Sequence, residues 1–151
     1  MHRRSHRRRT IAALIGVSAL VMTLALAPTA QAVTRITVTM TGDAERPGPG
    51  DPDGTGTASF TFNRGLGEVC FEIEVSGITL PSIGAHIHLA PVTEAGPVVV
   101  GLTPPDATGT SSGCVAADPA LVKAIAKDHA AYYVNVHTTD FPAGALRAQL
   151  G

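Results

Sequence analysis

Tryptophan is absent from these 151 residues, and four Phe and two Tyr are the whole aromatic complement. A core must therefore be assembled mainly from Val, Ile, Leu and Ala. No apolar run reaches the roughly 20 residues that a membrane-spanning helix needs; the longest, Ile11 to Ala27, falls short. Basic residues are scarce beyond the N-terminus, where Arg35, Arg46, Arg64, Lys123, Lys127 and Arg147 face all twelve Asp and Glu. That acidic balance, a formal charge of −6 after residue 32 against −1 for the whole chain, excludes nucleic acid and anionic lipid as partners, because both need a basic footprint. There is no internal repeat and no Asn-x-Ser/Thr acceptor. No serine sits in the strand–turn–helix setting of a nucleophile elbow, which argues against Ser–His–Asp hydrolysis.

What is present begins with a signal. Arg3, Arg4, Arg7, Arg8 and Arg9 precede the uncharged run, and Pro28-Thr29-Ala30-Gln31-Ala32 closes it with an A-x-A pair. This is the layout of a secretory signal peptide over residues 1–32, with cleavage expected after Ala32 and no stable membrane insertion afterwards. The Arg8-Arg9 pair leaves twin-arginine export open beside the general route. Residues 33–151 then form a single domain, secreted to the extracellular side. In an exported chain the two cysteines, Cys70 and Cys114, read as one disulfide. Closing that loop contributes about 4 kcal/mol in the chain-entropy description.

Sixteen Gly and eleven Pro imply many turns, and with the aromatic-poor core they point to an all-β domain of short strands. Apolar and polar residues alternate over Val33–Thr41, Thr55–Asn63, Glu68–Ser76, Gly84–Leu89, Tyr132–Thr138 and Ala145–Leu150. Pro97–Leu102 is a short continuous apolar strand, and a further strand is expected around Cys114. One short helix is expected from Pro119 to His129, capped by Asp118 with Pro119 at its first position. On that reading His129 is a helix-end residue and not a ligand. Gly42–Gly54, rich in Pro, Gly and Asp, reads as a solvated turn, with Asp51 and Asp53 a poor match to a calcium loop. Glu72 and Glu74 read as solubilising charge. Cys70 falls on an outward strand face, so its bridge is expected to tie a covering loop onto the sheet.

Side chains alternate along a strand, so His86 and His88 share one face while Ala85, Ile87 and Leu89 share the other. In the same way His137 shares a polar face with Tyr133 and Asn135. If those strands are neighbours, three imidazoles converge, and Asn135, Arg147, Tyr133 and Gln149 stand behind them.

Two segments carry a family resemblance. His86-Ile87-His88 followed by Gly96-Pro97-Val98-Val99, and Tyr133-Val134-Asn135-Val136-His137-Thr138 followed by Phe141-Pro142-Ala143-Gly144-Ala145-Leu146-Arg147-Ala148-Gln149-Leu150, resemble the signature of the CHRD (chordin) domain. The Cys70 strand and the segment from Cys114 into the helix resemble its bacterial members. Leu89-Ala90-Pro91 departs from the glycine often seen after the His pair, and Ala148 from a common Gly. The resemblance implies an immunoglobulin-like, Greek-key β-sandwich or barrel, distantly similar to Cu,Zn superoxide dismutase. It also implies an exported module for which no general biochemical activity is established.

The expectation is thus a secreted, non-catalytic binding or structural module for an unidentified extracellular protein or ligand. The alternative is a metal-binding protein holding Cu or Zn at His86, His88 and His137, since imidazole suits both ions. A superoxide dismutase-like redox enzyme is weaker, because the bridging histidine and carboxylate of a dinuclear site have no counterpart.

Overall fold

The alternating segments become strands in a computed structural model that describes residues 33–151; the expected signal segment, 1–32, lies outside the described residues. In chain order these are β1 (Val33–Thr41), β2 (Thr55–Asn63), β3 (Glu68–Ser76), β4 (Gly84–Leu89), β5 (Val98–Leu102), β6 (Thr110–Ala116), β7 (Tyr132–His137) and β8 (Leu146–Gln149), with helix α1 (Pro119–Lys127) between β6 and β7. Every pairing is antiparallel, in the order β5-β4-β7-β8-β1-β2-β3-β6. β1 and β8 meet at one registered pair, Thr41 with Arg147. The sheet folds at that seam into two four-stranded halves, a nearly closed β-sandwich of the expected all-β class.

The inward positions are those the alternation assigns. Phe60, Phe62 and Ile73 from one half meet Ile87, Val134 and Leu146 from the other in a single core. At about 25 cal/mol per Å² of apolar surface removed from water, that shared core is the main source of stability. Helix α1 closes one end: the Asp118 carboxylate accepts the Ala120 amide at 2.8 Å, and Val122 and Ile125 are fully buried.

Three local expectations change. The helix stops at Lys127, because Asp128 leaves helical geometry at φ −139°, and His129 opens a short 3-10 turn to Ala131 instead of ending the helix. The Cys70–Cys114 disulfide forms, but the two residues are direct partners on β3 and β6. It therefore staples an edge strand to its neighbour and not a loop to the sheet. Finally, the 42–54 loop is not a free solvated turn. Asp51 N–H donates to Ala145 O at 2.9 Å, and Glu45 and Asp51 are buried. Gly50 permits this close approach, since a Cβ there would overlap the Ala145 carbonyl.

Candidate metal centre

The polar face of β4, β7 and β8 is roofed by two loops, 42–54 and 90–97, and so becomes a second interior lined with polar groups. Tyr133, Asn135 and Arg147 are each no more than 2% exposed. Register does the assembling: β4 pairs with β7 so that Gly84 faces His137, His86 faces Asn135 and His88 faces Tyr133. β8 then sets Arg147 beside Asn135 and Gln149 beside Tyr133.

His86, His88 and His137 converge as the strand reading required. Ring centroids lie 5.1 Å apart for His86 and His137, 5.6 Å for His86 and His88, and 6.4 Å for His88 and His137. One ring nitrogen from each falls within 4.8 Å of the others. Gly84 makes room, because a Cβ opposite His137 would sit 3.1 Å from His86 Cε1 and 3.4 Å from His137 Cδ2.

The protons on these rings follow from their surroundings. His88 Nδ1 lies 2.8 Å from the Gly96 carbonyl, so Nδ1 carries the hydrogen and donates it. Its Nε2 is left with a lone pair, buried and without a hydrogen-bond partner, as is Nδ1 of His86. Buried polar atoms in native proteins are normally paired, so two orphaned imidazole nitrogens within one three-histidine cluster fit a missing third party better than a closed polar cluster. His137 is different. Its Nδ1 lies 3.1 Å from Pro142 O and its Nε2 lies 3.0 Å from Asn135 Oδ1, so a neutral ring has one hydrogen for two oxygens.

All three rings are held below the ordinary histidine range, and in each case burial is the leading cause. His137 and His88 repel added charge on His86, while the Gly96 and Pro142 carbonyls partly offset the effect on His88 and His137. Neutral imidazole is the form that binds metal, so the cluster is ready at neutral pH. Three neutral nitrogens of this kind suit Zn²⁺ or Cu²⁺ and leave a coordination position open.

The supporting residues divide. Asn135 touches the site directly through His137. Arg147 spends its donors on the 90–97 loop: Nη1 to Glu94 O at 2.9 Å and Nη2 to Pro91 O at 3.0 Å. Its guanidinium lies 3.5 Å over the Tyr133 ring, and the other contact of that ring is a stack on His88 at 4.7 Å. Gln149 donates to Ala90 O and Ala130 O, both at 2.8 Å. Gly96 N–H donates to the Tyr133 hydroxyl at 3.2 Å. Arg147, Tyr133 and Gln149 thus hold the loop whose Gly96 carbonyl fixes the His88 tautomer.

One site residue has no signature in the sequence. Glu45, in the middle of the Pro/Gly-rich loop, is 3% exposed and lies close enough to Asn135, His88 and Arg147 for each to act on its charge. Its Oε1 accepts the Arg46 amide at 3.0 Å, while Oε2 is buried without a partner. Burial raises its pKa, against the Arg46 hydrogen bond and the Arg147 charge. Only the excess of buried over loop-typical polarity distinguishes it, and that is invisible without the fold.

Residues 36–150 match the family model of the CHRD domain. The chain belongs to the CHRD family. No curated protein and no solved structure matches it. CHRD domains are β-sandwich modules, typically extracellular, and membership supports a binding or structural role in general. No helix among the described residues is long and apolar enough to cross a membrane. In this CHRD domain the His-x-His and the Asn-x-His of the two signature segments are the residues that the β4–β7 register brings together.

Proposed function

We propose that this CHRD domain is a secreted, non-catalytic binding module whose ligand at His86, His88 and His137 is a divalent transition metal, Cu²⁺ or Zn²⁺. The observations that carry the reading are the two buried, unpartnered ring nitrogens of His86 and His88 and the convergence of the three imidazoles, each with one nitrogen within 4.8 Å of the others. Backbone carbonyls on the far sides of His88 and His137 are the orienting partners that metal-bound histidines ordinarily have. Export follows from the basic, apolar and A-x-A pattern of residues 1–32 and agrees with the disulfide. A copper redox enzyme is the lesser reading, since no carboxylate among the described residues joins the three-histidine group.

The test is metal analysis of protein purified without a histidine tag, with titration of Zn²⁺ and Cu²⁺ into the metal-free form. One equivalent bound, and affinity lowered in His88→Ala, supports the reading. Absence of stoichiometric binding by the wild-type chain contradicts it. Metal-dependent turnover of superoxide or peroxide would favour the enzyme instead.

A further inference from the structure

We propose that ion binding at the three histidines and closure of the 90–97 loop form one linked equilibrium, with the His88 ring as the joint between them. The inference rests on the metal reading above and extends it to a loop that supplies no ligand.

His88 is the joint because its two ring nitrogens face different demands. Nδ1 lies 2.8 Å from Gly96 O, while Nε2 is buried without a partner. The Nε2 lone pair is available to an ion only while the hydrogen stays on Nδ1, and that hydrogen is the one Gly96 O accepts. Once Nε2 carries a cation, Nδ1–H becomes a charge-assisted donor, roughly twice as strong as a neutral one. The bond to Gly96 is therefore stronger in the loaded domain than in the empty one. Such a difference between states is what couples two sites, and the coupling is reciprocal. The loop tightens the ion by the same factor by which the ion closes the loop.

Both ends of the bond are fixed, so it transmits. The His88 ring stacks on Tyr133 at 4.7 Å with 10° between the planes, and the Arg147 guanidinium covers the Tyr133 ring at 3.5 Å. Gly96 is pressed so closely onto the end of β4 that a Cβ there would overlap the Leu89 carbonyl. Its N–H donates to the Tyr133 hydroxyl at 3.2 Å. The middle of the loop is held more lightly. Pro91 to Ala95 are exposed, and the Ala90, Pro91 and Glu94 carbonyls are tied down by the side chains of Gln149 and Arg147. A segment held by hydrogen bonds with little apolar burial opens locally at low cost, so one bond that gains strength shifts it.

Amide hydrogen exchange of the metal-free and Zn²⁺-loaded wild-type chain tests one direction of the linkage, and Zn²⁺ titration of loop variants tests the other. Groups behind metal ligands typically contribute 10–100-fold in affinity, so Zn²⁺ is expected to slow exchange at Gly96 and Glu94 about tenfold. Leu66, whose N–H is held by Asn63 Oδ1 in the β2–β3 turn, reports a loop with no histidine and should not change. In return Gly96→Ala, which displaces the carbonyl and keeps all three ligands, is expected to weaken Zn²⁺ binding about tenfold. Gln149→Ala loosens the loop at Ala90 O, touches no histidine and is expected to weaken binding in the same direction; it keeps the test intact should Gly96→Ala not fold. Exchange at Gly96 and Glu94 that Zn²⁺ leaves unchanged, or wild-type affinity in the folded loop variants, overturns this inference while leaving the metal reading standing. Failure of the wild-type chain to bind Zn²⁺ overturns both.

Discussion

Arg147 offers the most demanding test of how the polar interior is held. Its side chain is 1% exposed, and its two nitrogens bond carbonyls of one loop, Glu94 O at 2.9 Å and Pro91 O at 3.0 Å, while its plane covers Tyr133 at 3.5 Å. Arg147→Lys keeps the charge but gives one nitrogen where the loop uses two, and removes the flat stacking face. Losing one charge-assisted hydrogen bond costs about 1.5–3 kcal/mol. Weaker cation–π contact adds about 1 kcal/mol. The loop side chains are exposed and the freed carbonyl rehydrates, so the lower half of the summed range, about 2.5–3 kcal/mol, is expected. For a domain of this size each kcal/mol moves Tm by about 3–6 °C, so the variant should melt about 10 °C lower. Amide exchange should quicken at Gly96, whose N–H donates to Tyr133, and at Leu89, whose N–H donates to Pro97 O at 3.1 Å. Were Arg147 there only to balance the charge of Glu45, lysine would serve nearly as well. An unchanged Tm with unchanged Gly96 exchange would refute the loop-clamp account.

Two other outcomes follow from the same structure. Reducing the disulfide, or replacing both cysteines by Ala, removes a cross-link between residues 44 apart in sequence and should lower the free energy of unfolding by about 4 kcal/mol, read from urea midpoints; an unmoved midpoint contradicts this. In the metal-free chain the three histidines resist protons that the unfolded chain accepts below about pH 6.5, so their contribution is complete above that value and is lost as pH falls through it toward the lower folded values. Glu45 has the opposite sign, since its raised value favours the folded state on acidification and offsets part of the histidine effect. Tm should therefore drop between pH 7.5 and 6, at up to about 1.4 kcal/mol per pH unit for each proton taken up on unfolding, and the drop should shrink in His86→Gln. A Tm that stays level or rises over that interval runs against the assigned protonation.

The alternation of residues was enough to separate two faces on each strand, and with the family signature to bring His86, His88 and His137 to one place. It says nothing about what lies on the polar face. Tyr133, Asn135 and Arg147 look like surface residues in a period-2 pattern, yet two loops cover them, and loop placement depends on contacts between residues as distant as Asp51 and Ala145. For the same reason Glu45 was illegible: it sits among prolines and glycines with no periodicity, and its burial is decided by Gly144 about a hundred positions away. The cysteine pairing was legible because two cysteines permit one bridge, but the outward position of Cys70 suggested a loop partner where the actual partner is the adjacent edge strand. The helix end shifted by two residues, as the sequence of Lys127-Asp128-His129 contains no residue that forces the stop.

The central claim is that the three imidazoles share one ion. X-ray absorption at the zinc edge of the stoichiometrically loaded chain measures this most directly. Three nitrogen scatterers at about 2.0–2.1 Å with the outer-shell pattern of imidazole are expected, falling to two in His88→Ala. A zinc environment dominated by carboxylate or water oxygen, or one that His88→Ala leaves unchanged, would contradict it.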